Sequence, residues 1–121
     1  MKTALANPRV DRMFRTFSDL TRLRILELLR ANGELCVGDL VEILQVPQPT
    51  ASRHLAYLRR TGFVLGRKEG MWSFYSLAPS RNPLHLKLLE SLVESTRDVA
   101  EFAADRSRAR KIRLSGGCCP K

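Results

Sequence analysis

Three thiols and one helical face hold the groups in this chain best suited to chemistry. Cys36 sits early in the sequence, whereas Cys118 and Cys119 are adjacent near its end, just beyond Ser115-Gly116-Gly117. An odd cysteine count with an adjacent pair makes a poor disulfide framework and suits thiolates kept reduced in a cytosol. The second cluster is Gln48, Thr50, Ser52, Arg53 and Tyr57, a short run of amide, hydroxyl, guanidinium and phenol groups. Such groups donate to and accept from base edges and phosphates, so this run suits nucleic acid. Catalysis has no comparable arrangement: no nucleophile stands beside an evident base and orienting partner, and no enzymatic activity is expected.

The elements that must position these groups follow from composition and pattern. The 121 residues are 44% apolar, which suits one compact domain. The formal charge of +9 points to an acidic partner, nucleic acid or a membrane surface. Its distribution is uneven. Arg106, Arg108, Arg110, Lys111, Arg113 and Lys121 follow Asp105 with no acid among them and carry six of the nine charges. Residues 1–105 therefore read as a mildly basic folded body, and 106–121 as a basic, flexible, cysteine-bearing tail. No stretch approaches the roughly 18 consecutive apolar residues of a spanning helix, and Met1 to Ala6 lack a signal-like apolar core. The expectation is a soluble cytoplasmic protein with no membrane partner.

Pro8 can open a first helix with Val10, Met13, Phe14 and Phe17 at spacings of three and four. Ser18 or Asp19 caps a second, which buries Leu23, Ile25, Leu26, Leu28 and Leu29 and stops at Asn32-Gly33. Glu34-Leu35-Cys36 leads into a small helix, Val37 to Leu44, and Gln45-Val46-Pro47 turns the chain at once. The next helix runs from Pro49 to Thr61, with Ala51, Leu55 and Leu58 on one side and Thr50, Arg53, Tyr57 and Arg60 on the other. Phe63-Val64-Leu65 and Trp72 to Leu77 read as strands around a Glu69-Gly70 turn, with Arg67 and Lys68 near its tip. The fold is thus mainly α with a small β-hairpin, a winged helix-turn-helix.

Beyond Pro79 and Pro83 one last helix carries Leu84, Leu88, Leu89, Leu92, Val93, Val99, Phe102 and Ala103. That is more apolar surface than so small a body needs, and it is expected to pack against a second copy. Glu94, Asp98, Glu101 and Asp105 recur along it and read as a solvated face.

Four runs in order now resemble one family over roughly residues 9–104. They are Phe-Ser-Asp-Leu-Thr-Arg-Leu-Arg-Ile-Leu from Phe17, Glu-Leu-Cys-Val-Gly-Asp-Leu from Glu34, Gln-Pro-Thr-Ala-Ser-Arg-His-Leu from Gln48, and Glu-Gly-Met-Trp-Ser-Phe-Tyr from Glu69. The chain resembles the ArsR/SmtB family of metal- and metalloid-responsive repressors. The resemblance implies a homodimer joined through the first and last helices. It implies release of double-stranded operator DNA when an inducer binds, with no cofactor required for DNA binding itself. The helix from Pro49 would enter a major groove with Gln48, Thr50, Ser52 and Arg53 nearest the base edges and Tyr57 on the same face. Arg67 and Lys68 would hold phosphate or minor groove. His54 either reads a base or packs beside the helix.

In the arsenic-sensing branch the small-helix motif is Glu-Leu-Cys-Val-Cys-Asp-Leu, with both cysteines as ligands, and Gly38 stands here at the second. Trivalent arsenic forms three bonds around a lone pair and favours three soft thiolates, so Cys36 would need Cys118 and Cys119 to complete its set. Alternatives stay open. Cys118 and Cys119 alone would suit a two-coordinate methylated arsenical, leaving Cys36 as a core thiol. The same thiols could sense oxidants, or the chain could bind DNA with no inducer at all. As(III) or an organoarsenical leads the inducers, with Sb(III), Cd and Pb suited to the same sulfurs. Zinc is disfavoured, because His85 has Ser95, Thr96 and Arg97 where a second histidine would lie.

Overall fold

In the computed structural model, which describes residues 9–117, the local signals become elements whose apolar sides meet. Helix α1 spans Val10–Thr16; Pro8, expected to open it, lies outside the described residues. Asp19 caps α2 (Leu20–Asn32), its carboxylate accepting from the Arg22 backbone N–H at 3.0 Å. Strand β1 (Leu35–Cys36) runs directly into α3 (Val37–Leu44). Gln45 then takes a left-handed conformation (φ 58°), and α4 (Gln48–Arg60) follows. Strands β2 (Val64–Glu69) and β3 (Trp72–Leu77) form the hairpin, and helices α5 (Pro83–Ser95) and α6 (Ala100–Ser115) complete the chain.

The core lies where α2, α3 and α4 cross. Ile25, Leu26 and Leu29 meet Leu40, Ile43, Leu44, Leu55, Leu58 and Phe63, all fully buried. Burying each such side chain contributes about 1.5–3 kcal/mol, which makes this tri-helical unit a rigid platform for α4. The sheet is antiparallel in the order β1-β3-β2, with Leu35 opposite Tyr75 and Cys36 opposite Phe74. In the sequence Leu35 and Cys36 read as a link, because two residues are too short to display a period of two. Their pairing ties the start of α3 to the wing.

Two departures concern the C-terminal third. The single last helix is two, broken between Ser95 and Ala100. Ser95 Oγ donates to the Ser91 carbonyl and Thr96 Oγ1 to that of Leu92 (2.7 Å), back-bonds to carbonyls four residues earlier that bend and weaken a helix end, and the chain turns. The basic run expected as a flexible tail from Arg106 is instead helical to Ser115, with Ala109 buried and Ile112 packed on the core.

Asp105, expected on a solvated face, is only 2% exposed. It accepts from Arg24 at 2.8 and 2.9 Å and from Arg108 at 3.1 Å. Both guanidiniums also donate to the last carbonyls of α3, Arg24 to Leu44 and Arg108 to Ile43. A carboxylate is tolerated at this depth because two charged donors replace its water. Helix α6 is thereby bolted to α2 and to the end of α3.

Candidate functional site

The exposed side of α4 carries the groups singled out for reading DNA. Ala51, Leu55 and Leu58 face the core, so geometry leaves Arg53 exposed and Thr50 and Ser52 partly so. Gln48 Nε2 donates to Ser52 Oγ at 2.9 Å, which orders both at the helix start. Tyr57 is half-buried beneath two guanidiniums, Arg22 at 4.3 Å and Arg60 at 5.4 Å from its ring centre. Arg22 also donates to the Thr16 and Arg15 carbonyls at 3.0 and 2.9 Å, capping α1. One side chain thus joins the first helix to α4, a link with no local signal in the sequence.

His54 lies against this junction, with Nδ1 3.4 Å from Arg22 Nη1 and Nε2 3.7 Å from Asp19 Oδ2. On the wing, Arg67 is engaged within the chain. It donates to both Glu34 oxygens at 2.7 and 2.8 Å and to Glu69 at 3.3 Å, and its guanidinium lies 4.5 Å from the Phe74 ring centre. These partners raise the Arg67 pKa, and Arg67 in turn holds Glu34 below the usual carboxylate range. Arg67 therefore braces the hairpin against the segment before β1, while Lys68 beside it stands exposed.

Cys36 is 2% exposed and caps α3, its Sγ accepting from the Asp39 N–H at 3.4 Å. Cys36 is disulfide-bonded in this structure; Cys118 and Cys119, the other cysteines of the sequence, lie outside the described residues. The chain that leads to them returns to α3. Gly116 and Gly117 both have positive φ (92° and 77°) and close the end of α6, with Gly117 N–H donating to the Ile112 carbonyl at 3.0 Å. A Cβ on Gly117 would sit 2.8 Å from Asp39 Oδ2, so only glycine fits this approach. Among the described residues, no group of three or more His, Cys, Asp or Glu is placed to hold a metal ion.

Residues 19–65, the span from the α2 cap to the start of the wing, match the profile described as bacterial regulatory protein, arsR family. An uncharacterized HTH-type transcriptional regulator of Methanocaldococcus jannaschii is 45% identical over 80 residues, 66% of this chain and 90% of that protein. The chain belongs to the arsR family. The arsenical resistance operon repressor of Escherichia coli is 51% identical over 67 residues, covering 55% of this chain and 57% of the repressor. Among solved structures, reduced HlyU from Vibrio cholerae superposes with a TM-score of 0.63 at 34% identity, covering 74% of this chain and 90% of that one. As an arsR-family member the chain is a DNA-binding transcriptional regulator with a winged helix, not an enzyme. No helix among the described residues is long and apolar enough to cross a membrane.

The histidines of this arsR-family chain titrate in a way that stability can report. Burial, aided by nearby arginines, pushes His54 below its ordinary value of 6.5 despite Asp19, and burial with Arg81 does the same to His85. The unfolded chain therefore takes up these protons first as pH falls below about 6.5, and stability drops from there down to the lower folded-state values. Above that window both rings are neutral in both states and contribute no slope. The melting temperature is expected to fall between about pH 7 and pH 5, and less steeply in His85→Gln. Thermal melts followed by circular dichroism across that range check this; parallel slopes in the two proteins would contradict it.

Proposed function

We propose that this chain is a homodimeric repressor that leaves operator DNA when a soft trivalent thiophile, As(III) foremost, binds Cys36, Cys118 and Cys119. The observation that carries the reading is the return of Gly117 to Asp39, whose amide donates to Cys36 Sγ. Cys118 is the next residue in the chain. A neutral As(OH)3 condenses with three thiols to give three As–S bonds and three waters, so the donor set matches the valence of the ligand. The ligands then come from one chain. Exposed Val10, Phe14 and Leu86, on α1 and α5, supply apolar surface for a second copy.

Release follows from what Cys36 begins. Tension at the start of α3 passes along a helix whose last carbonyls are gripped by Arg24 and Arg108, and the next element is α4 with its reading face. A coupling of about 1–3 kcal/mol, or 5- to 150-fold in affinity, is enough for a useful switch. The first experiment is fluorescence anisotropy of the reduced protein on its promoter DNA, titrated with arsenite, a methylated trivalent arsenical, cadmium and zinc. Arsenite is expected to release the DNA; release by the methylated form alone would leave Cys36 out of the site.

The disulfide state of Cys36 favours a second reading, a redox switch at the same sulfurs. A peroxide would take two electrons from two thiols, forming the disulfide and two waters, and would block arsenite uptake. Peroxide treatment of the reduced protein in the same assay separates the two.

The DNA face makes its own prediction. Arg53→Ala is expected to cost about 1–3 kcal/mol of operator affinity and to relax the preference at one base pair. Lys68→Ala should weaken operator and random DNA alike and lower the salt slope by about 1. Anisotropy at several salt concentrations measures both, and an Arg53→Ala loss that is equal on the two DNAs would remove it from base reading.

A further inference from the structure

A cavity of about 340 Å3 opens between α1, the end of α4 and the start of α5, at the opposite end of α4 from Gln48. Of the exposed face of α4 only Arg60, at its far end, reaches this cavity, and the thiol site does not use it. Its walls bring together Arg12, Arg60 and Arg81, and no acidic residue lines it. Among the described residues none of these three makes an ion pair, so their charges are uncompensated. A fourth cation on its wall, Arg9, is held by Asp11 at 3.0 Å. The N-terminus of α5, capped by Asn82, adds the positive end of a 13-residue helix.

The second observation lies in the wall itself. His85 is 2% exposed, and its Nε2 is buried with no hydrogen-bond partner among the described residues. Its other nitrogen, Nδ1, accepts from the Arg81 backbone N–H at 3.4 Å, so the ring proton belongs on Nε2. A buried N–H without an acceptor costs free energy that a ligand oxygen would recover. That tautomer offers a donor and not a lone pair, which fits an anion and does not fit a metal ion. Met13 and Phe63 supply apolar wall, with the Phe63 ring 4.3 Å from that of His85.

We infer that this cavity binds a small organic anion, its carboxylate or phosphate held by Arg12, Arg81 and the His85 N–H and its apolar body lying against Met13 and Phe63. The volume is at the small end of ligand pockets, which suits an aryl or short-chain acid. A backbone phosphate of DNA, fixed to a stiff duplex, would reach the outer arginines but not a buried imidazole. Occupancy would cross-link α1, α4 and α5 and so bear on DNA binding through a site independent of the thiols.

The test uses the reduced full-length protein with phenyl phosphate, benzoate and inorganic phosphate, each compared with chloride at equal ionic strength, by calorimetry and thermal shift. Saturable binding of phenyl phosphate or benzoate is expected, tighter than inorganic phosphate. Arg81→Gln and Arg12→Gln, both at exposed positions, should each weaken it about 10-fold or more, as loss of a charged hydrogen bond does. His85→Gln should weaken it as well, and the arginine variants keep the test valid if that protein folds poorly. No saturable binding of any probe, or binding indifferent to the arginine variants, would overturn the inference. So would a loss confined to DNA affinity in Arg81→Gln, which would make the cavity wall a phosphate contact, or protection that chloride reproduces.

Discussion

Replacing Cys118 and Cys119 together by serine is expected to leave the reduced protein's affinity for operator DNA unchanged and to abolish its release by arsenite. The effect is the full coupling, a 5- to 150-fold shift in affinity reduced to none, because a single remaining thiolate cannot hold a three-coordinate centre. Cys36→Ser should lose the response equally and keep the fold. Its side chain caps α3 through the Asp39 amide, and serine is a preferred residue at that position. Gly117→Ala tests the geometry with all three thiols in place. The added methyl would meet Asp39 Oδ2 at 2.8 Å from a backbone at φ 77°, so the chain end must move off α3 and the arsenite response should weaken. Anisotropy with the three variants reads all of this, and undiminished release in the double serine variant would remove the terminal cysteines from the inducer site.

Asp105→Ala is expected to be the most destabilising single change outside the apolar core. It leaves Arg24, whose side chain is 12% exposed, without its carboxylate, and it frees Arg108 as well. Breaking a buried pair from one side typically costs about 3–5 kcal/mol, since the surviving charge stays desolvated. For a chain of this size that lowers the melting temperature by roughly 10–20 °C. Lys87→Ala provides the contrast. Lys87 lies 3.8 Å from Glu90, and their side chains are 78% and 54% exposed, so solvent screening limits the loss to about 1 kcal/mol or less. Thermal melts of both variants decide the matter, and equal losses would mean that the Asp105 cluster is no more than a surface pair. The cluster also caps the end of α3, so the same variant tests how firmly that helix must be held for inducer and DNA sites to communicate.

Much of the reading unit was legible along the chain. The Asp19 cap, the Asn32-Gly33 stop, the α3 boundaries from Val37 to Leu44 and the inward side of α4 all follow from signals only a few residues apart. Each element there is an amphipathic segment with its own start and end. The last helix misled because Leu92, Val93, Val99 and Phe102 keep an apolar rhythm across the break. The two hydroxyls at Ser95 and Thr96 that end α5 are a weaker signal than a glycine or proline.

The roles of charged residues were the least visible. Arg67, expected on DNA, is bound to Glu34, which lies 33 residues away, and Arg24 meets Asp105 across 81. The position of Arg24, between Leu23 and Ile25 in a buried helix, is the one sequence sign that its charge needed an internal partner.

Sequence alone thus determined the winged helix-turn-helix and which face of α4 stays exposed, because caps, stops and apolar periods act over one or two turns. Tertiary structure alone decided that α6 docks on α3, that Gly117 reaches Asp39 beside Cys36, and that arginines gather around His85. Those outcomes depend on which side chains meet when distant elements pack, and packing selects them by shape and charge balance that no local pattern encodes.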